Sequence, residues 1–247
     1  MRIPRTVLLA STLLLLPACA GTPAPTPAAP GSTGPALPPS VHWARNSAEH
    51  RAVFLQTYRA ASRRARELAR GREAGTWAVI LDADETVLDN STYQMRLARR
   101  GEAFSNETWN DWVREEAAGA QPGAGRFIEL VRTLGGRVAV VTNRDEPVCD
   151  ATRRNLTALG IEVDVVLCQA EGERGKEGRF AAVQQGTTPA GLPPLDVVMW
   201  VGDNIHDFPG LDQRVREGPP GPYELFGRRW FVLPNPMYGS WEGNPAG

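Results

Sequence analysis

The stretch ILDADETVLDN, Ile80 to Asn90, decides the fold. It continues the run WAVIL, Trp77 to Leu81, in which apolar and β-branched residues come together over few positions. Such a run reads as a buried strand. Two acids follow at once, Asp82 and Asp84, with Thr86 two further on. They stand where a strand of an α/β sheet opens into a loop, the edge at which open parallel sheets bind ligands and do chemistry. Side chains two apart on an extended backbone point to the same side. Carboxylates so placed repel each other unless a cation or a proton neutralises one. A reactive acid pair beside a hard metal ion is the first expectation.

Working outward, Val41 to Arg72 predicts a helix, with Val53, Phe54, Tyr58, Ala61 and Leu68 recurring every three or four positions. Its basic run Arg63, Arg64, Arg66, Arg70 and Arg72 reads as a solvated face. After the acid pair, Asn90 to Gly119 is helical again, anchored by Tyr93, Leu97, Trp109, Trp112 and Val113. This predicts a small helical cap over about residues 90–120. A regular alternation follows: a helix with Phe127, Leu130, Val131 and Leu134 on one face, the strand VAVV, a helix through Leu156, the strand VDVVL, a helix over 180–185, the strand VVMWV and a last strand WFVL. Strands alternating with helices predict an α/β fold, a three-layer Rossmann-like core around a parallel sheet.

The N-terminus reads as an address. Arg2 and Arg5 precede an apolar segment, Val7 to Leu16, too short to span a bilayer but suited to secretion. It ends LPAC at Cys19 and resembles a bacterial lipoprotein signal over residues 1–19, in which the cysteine carries lipid after cleavage. The alternative is an ordinary signal peptide cut near Ala20. Residues 20–40, rich in Pro and Ala, read as a tether, and residues 41–247 as the folded domain. The expected protein is exported and anchored, facing the periplasm or outer membrane. The remaining cysteines, Cys149 and Cys168, lie on one sheet edge by this reading, with a disulfide and two free thiols both open. Lys and Arg total 27 against 28 Asp and Glu, a near-neutral balance that argues against a nucleic-acid polymer as partner.

The strand ends carry complementary groups: Asp82 and Asp84 on the first, Thr142 and Asn143 on the second, Gly202, Asp203 and Asn204 on the fourth. Lys176 lies in the loop after the third, with Arg174 and Arg179 as neighbouring candidates. Together DADET, VVTNR, Lys176 and GDNIHDF resemble the four motifs of the haloacid dehalogenase superfamily of phosphotransferases. The longer strings ILDADETVLDN, GDNIHDF and LPNPMYGSWE resemble more narrowly the class C (DDDD) acid phosphatases, the bacterial lipoprotein e type, over roughly Val41 to Glu242. Ala83 departs from the larger aliphatic residue usual there, at a position that supplies no functional group.

The resemblance implies that Asp82 is a nucleophile forming an aspartyl-phosphate and that Asp84 is the acid/base. Acidic neighbours are expected to favour the protonated form of Asp84. It implies Mg²⁺ held by the Asp82 carboxylate, the Asp84 main-chain carbonyl and the Asp203 carboxylate, with Asp207 orienting a metal-bound water or Lys176. Thr142, the Asn143 backbone N–H and Lys176 would hold the phosphoryl oxygens. Small phosphomonoesters, 5′-nucleotides among them, are the implied substrates. Trp109 and Tyr238 are candidates to stack on a base, while a helix pair such as Trp109 and Trp112 is also ordinary cap core. His206, beside Asp207, reads as a bystander. The competing readings are a phosphotransferase using the same residues and a non-enzymatic surface lipoprotein binding a ligand such as haem, for which His42, His50 and His206 are the candidate axial ligands.

Overall fold

A computed structural model describes residues 36–245. The expected signal segment 1–19, with Cys19, and residues 20–35 of the expected tether lie outside the described residues.

Five parallel strands form the sheet: β1 (Trp77–Leu81), β4 (Arg137–Asp145), β5 (Val165–Gln169), β6 (Asp196–Gly202) and β7 (Trp230–Val232), in the order β5-β4-β1-β6-β7. The chain leaves β1 toward β4 and β5, then returns to its other side for β6 and β7. That reversal makes the carboxyl end of β1 the switch point where a crevice opens. Alternation within β1 divides the core. Trp77, Val79 and Leu81 pack with α2 (Ala48–Leu68), α5 (Ala124–Thr133) and α6 (Cys149–Ala158), through Phe54, Phe127 and Leu156. Ala78 and Ile80 pack on the opposite face with α7 (Glu177–Gln185), through Phe180 and Val183. The expected three layers are present.

Two predicted helices are each divided by a cap. Val41 to Arg72 forms α1 (Pro39–Asn46) and α2, because Ser47 is extended and its Oγ accepts the His50 N–H at 3.0 Å. Pro39 and Ser40, counted with the tether, form the first turn of α1. In the cap, α3 (Ser91–Arg100) ends at Gly101, whose φ of 66° suits glycine, and α4 (Asn106–Arg114) starts from Ser105, whose Oγ accepts the Thr108 N–H. A two-residue antiparallel pair, β2 (Leu88–Asp89) with β3 (Gly119–Ala120), closes the neck of this insertion. The cap is thereby tied directly to the loop carrying the acid pair.

Cys149 and Cys168 are bonded to each other, joining the first turn of α6 to the end of β5. Closing a loop of this size stabilises by about 3 kcal/mol. Among the described residues no helix is long and apolar enough to cross a membrane.

Candidate active site

The loop after β1 is wound around Ala83. The Asp82 N–H still donates to Val201 O at 2.9 Å, completing the sheet ladder. The Ala83 carbonyl then accepts from both Val87 and Leu88, and Glu85 takes a left-handed φ of 52°. That conformation costs a non-glycine residue on the order of 1–2 kcal/mol. Through this turn the Asp82 and Asp84 carboxylates meet different cations, and Glu85 turns inward.

Asp82 meets Lys176. The Lys176 ammonium, at the start of α7, donates to Asp82 Oδ1 and, at 2.7 Å, to Asp207 Oδ1. Burial works against the ammonium, yet Asp207 and Asp82 together hold its pKa above the usual lysine value. Asp207 Oδ2 accepts the Asn204 N–H at 2.9 Å, so both its oxygens are engaged. The Asp207 side chain folds back against Gly202, where a Cβ would collide with it. Asp203 is half-buried, its Oδ2 accepting from Asn235 Nδ2 at 2.8 Å.

Oxygens of Asp82, Asp203 and Asp207 lie within 4.8 Å of one another. Burial, opposed by Lys176 and reinforced by Asp207 and Asp84, raises the pKa of Asp82; burial with Asp207 and Asp82 raises that of Asp203 well above its ordinary value. Three carboxylates against one ammonium leave excess negative charge on hard oxygen donors. This donor set suits a divalent cation. With Asp207 bound to Lys176 and Asn204, Asp82 and Asp203 are the carboxylates left to hold it.

Asp84 meets Arg144, a cation that the expectation of acidic neighbours did not include. Arg144 Nε and Nη2 donate to Asp84 Oδ1 at 3.0 and 2.8 Å, and Asn90 Nδ2 donates to the same oxygen at 2.8 Å. Asn90 Oδ1 in turn accepts from Trp112 Nε1 at 2.9 Å and Arg144 Nη2 at 3.1 Å. Thr142 is buried, its Oγ1 accepting the Arg144 N–H at 3.2 Å and approaching Asp84 Oδ2 at 3.5 Å. Asn143 is exposed and its Oδ1 accepts from Arg179 Nη2 at 2.8 Å. Arg179 also donates to Thr142 O and to Glu173, so it braces the β4 end from below.

Two adjoining cavities share Asp84, Asn143 and Tyr238. The smaller, about 300 Å³, is lined by Asp82, Lys176, Asp203 and Asp207. The larger, about 720 Å³, extends under the cap toward Leu97, Phe104 and Trp109. Trp109 packs edge-on to Tyr93 at 5.1 Å and covers the Arg144 guanidinium at 5.6 Å, whereas Trp112 is buried cap core. The Tyr238 hydroxyl donates to Glu85, whose carboxyl is pushed up to about 8 by burial and by Asp84. His206 is exposed at the rim of the smaller cavity, while His50 is packed against Trp43 and Phe54. Sequence reasoning passed over Arg144, Glu85, Asn90 and Asn235, and named Arg179 only as an alternative to Lys176. The available signal for three of them was position: Arg144 follows Thr142 and Asn143, and Glu85 and Asn90 belong to the opening stretch.

A model of the HAD superfamily, subfamily IIIB (acid phosphatase), matches residues 26–241. The solved class C acid phosphatase from Bacillus anthracis is similar at a TM-score of 0.72 and 32% identity, over 83% of this chain and 85% of that one. A second structure of that enzyme, with tungstate bound, matches equally. Acid phosphatase 1 of Solanum lycopersicum is 27% identical over 167 residues, 64% of this chain and 57% of that protein. The chain therefore matches little more than half the length of the tomato relative.

Proposed function

The chain belongs to the HAD superfamily, subfamily IIIB, the acid phosphatases, and from that premise we propose that it hydrolyses phosphomonoesters through an aspartyl-phosphate on Asp82. The observation that carries this reading is the seating of Asp82 and Asp84 on one loop, each with its own cation, on the wall of a shared cavity. Asp82 attacks phosphorus while the bond to the leaving oxygen breaks, and Asp84 gives that oxygen its proton. Water then attacks the phosphoryl group, Asp84 takes its proton, and orthophosphate leaves with the Asp82 carboxylate restored. Lys176 and the β4 end, with Thr142 and the Asn143 N–H, hold the equatorial oxygens, since phosphoryl transfer depends chiefly on positioning and charge stabilisation.

The Asp82 and Asp203 carboxylates and the Asp84 carbonyl would hold Mg²⁺, with Asp207 fixing Lys176. The ion would supply the positive charge that lets an anionic nucleophile approach an anionic ester. The larger cavity, with Trp109 and Tyr238 on its walls, takes the group beyond the phosphate, and its aromatic lining fits a nucleobase of a 5′-nucleotide. Export with lipid anchorage at Cys19 is part of the same reading, supported by the Cys149–Cys168 bond, which suits an oxidising compartment.

The test is phosphate release from a panel of esters with Mg²⁺ and with a chelator. Activity that needs the metal and is inhibited competitively by tungstate, the oxyanion bound in one relative, is the expected result. Undiminished turnover by Asp82→Asn would sink the mechanism.

A further inference from the structure

Arg144 has no part in the chemistry just described, yet it is 1% exposed and among the largest fully buried side chains of the described residues. It lines neither cavity. Its nitrogens are directed elsewhere: Nη1 to Thr152 Oγ1 at 3.2 Å, Nη2 to Asn90 Oδ1 at 3.1 Å, and Nε and Nη2 to Asp84 Oδ1. With the amide of Asn90, three donors converge on that one oxygen. The other oxygen, Oδ2, has only long contacts, 3.3 Å to Arg144 Nε and 3.5 Å to Thr142 Oγ1. A planar fork that holds one oxygen fixes the carboxyl plane and leaves the second for a partner in the cavity. Trp109, from α4 of the cap, lies over the guanidinium at 5.6 Å and makes the cap part of the same assembly.

We propose that Arg144 is a positioning residue for proton transfer: it holds Asp84 by Oδ1 so that Oδ2 faces the leaving oxygen, and Trp109 of the cap covers the guanidinium that does so. The proposal rests on the reading of Asp84 as the proton carrier. It separates two classes of substrate. An alkoxide leaving group needs a proton as its bond breaks, whereas a nitrophenolate leaves without one.

The experiment compares kcat/KM for an alkyl phosphate, glycerol phosphate, with that for p-nitrophenyl phosphate, in the Mg²⁺-loaded wild type and in Asp84→Asn, Arg144→Met and Arg144→Lys. Asp84→Asn should lose the alkyl ester by about 100-fold more than the aryl ester. Arg144→Met should show the same selective loss, by about 10-fold or more, with Arg144→Lys intermediate because an ammonium lacks the fork. Circular dichroism and the unfolding midpoint report folding in every variant, and Arg144→Lys, which retains a cation beneath Trp109, decides the matter if Arg144→Met does not fold. Selective loss in Asp84→Asn with equal or no loss in the Arg144 variants overturns the proposal alone. Equal losses in Asp84→Asn overturn the proton-carrier reading and the proposal with it.

Discussion

Asp82 and Asp84 are two residues apart, chemically identical, and live in opposite surroundings. Asp82 belongs to the sheet: its backbone completes the ladder to β6, and its carboxylate shares Lys176 with Asp207 beneath a cluster of acids. Asp84 belongs to the junction of sheet and cap: its carboxylate is gripped by Arg144 and Asn90, which also hold Trp109 and Trp112. The half around Asp82 is electrostatically overloaded with negative charge and suited to a cation. The half around Asp84 is neutralised by the protein itself. Side-chain chemistry therefore does not divide the labour between the two acids; their partners do.

The largest effect that can break this comparison is on turnover. Asp82→Asn should lower kcat by on the order of 10⁴-fold or more, measured as phosphate release, while Asp84→Asn should slow turnover but leave kcat/KM for an activated ester far less changed. Next in size is stability on the Asp82 side. Lys176→Met leaves the Asp82 and Asp207 carboxylates buried without their ammonium and should cost about 3–5 kcal/mol in chelator-treated protein, read by denaturant unfolding. A near-neutral result would mean that the acids there do not depend on Lys176. The disulfide is smaller in effect. Cys149→Ser with Cys168→Ser should lose about 3 kcal/mol of stability and leave kcat within a few-fold, since neither cysteine lines the cavities.

The last effect is a slope with pH. Glu85 keeps its proton in the folded protein up to about pH 8, against 4.5 for an ordinary glutamate. The folded state binds more protons across that interval, so the stability associated with the protonated carboxyl is complete below 4.5 and is lost as pH rises toward 8. Glu85→Gln should flatten this decline in unfolding titrations at pH 5 and pH 8. Equal slopes in the two proteins would show that Glu85 titrates normally.

What was legible in the sequence follows the same boundary. The core declared itself because buried parallel strands are continuous apolar runs: WAVIL, VAVV and VVMWV predict strands, which lie side by side, and the strand ends with the family resemblance point to Asp82, Asp203, Asp207 and Lys176, which the fold brings together. Helix breaks were less legible, because a single capping serine, Ser47 or Ser105, interrupts an apolar periodicity without disturbing it. The setting of Asp84 was not legible at all. Its partners lie 6 and 60 residues away, in Asn90 and Arg144, and a buried arginine has the same letter as the solvated ones at Arg63 or Arg66. The Tyr238–Glu85 contact is longer still in sequence, 153 residues, and depends on a left-handed glutamate that no pattern announces.

The division of labour is tested most directly by rapid-quench kinetics of Asp84→Asn with p-nitrophenyl phosphate. Nitrophenolate leaves without a proton, but on the proposed mechanism hydrolysis of the phosphorylated Asp82 still needs Asp84 to activate water. The account predicts a burst approaching one nitrophenolate per active site, then slow turnover, with the burst abolished in Asp82→Asn/Asp84→Asn. Linear release without a burst in a variant whose turnover is slowed, or a burst that survives loss of Asp82, would contradict it.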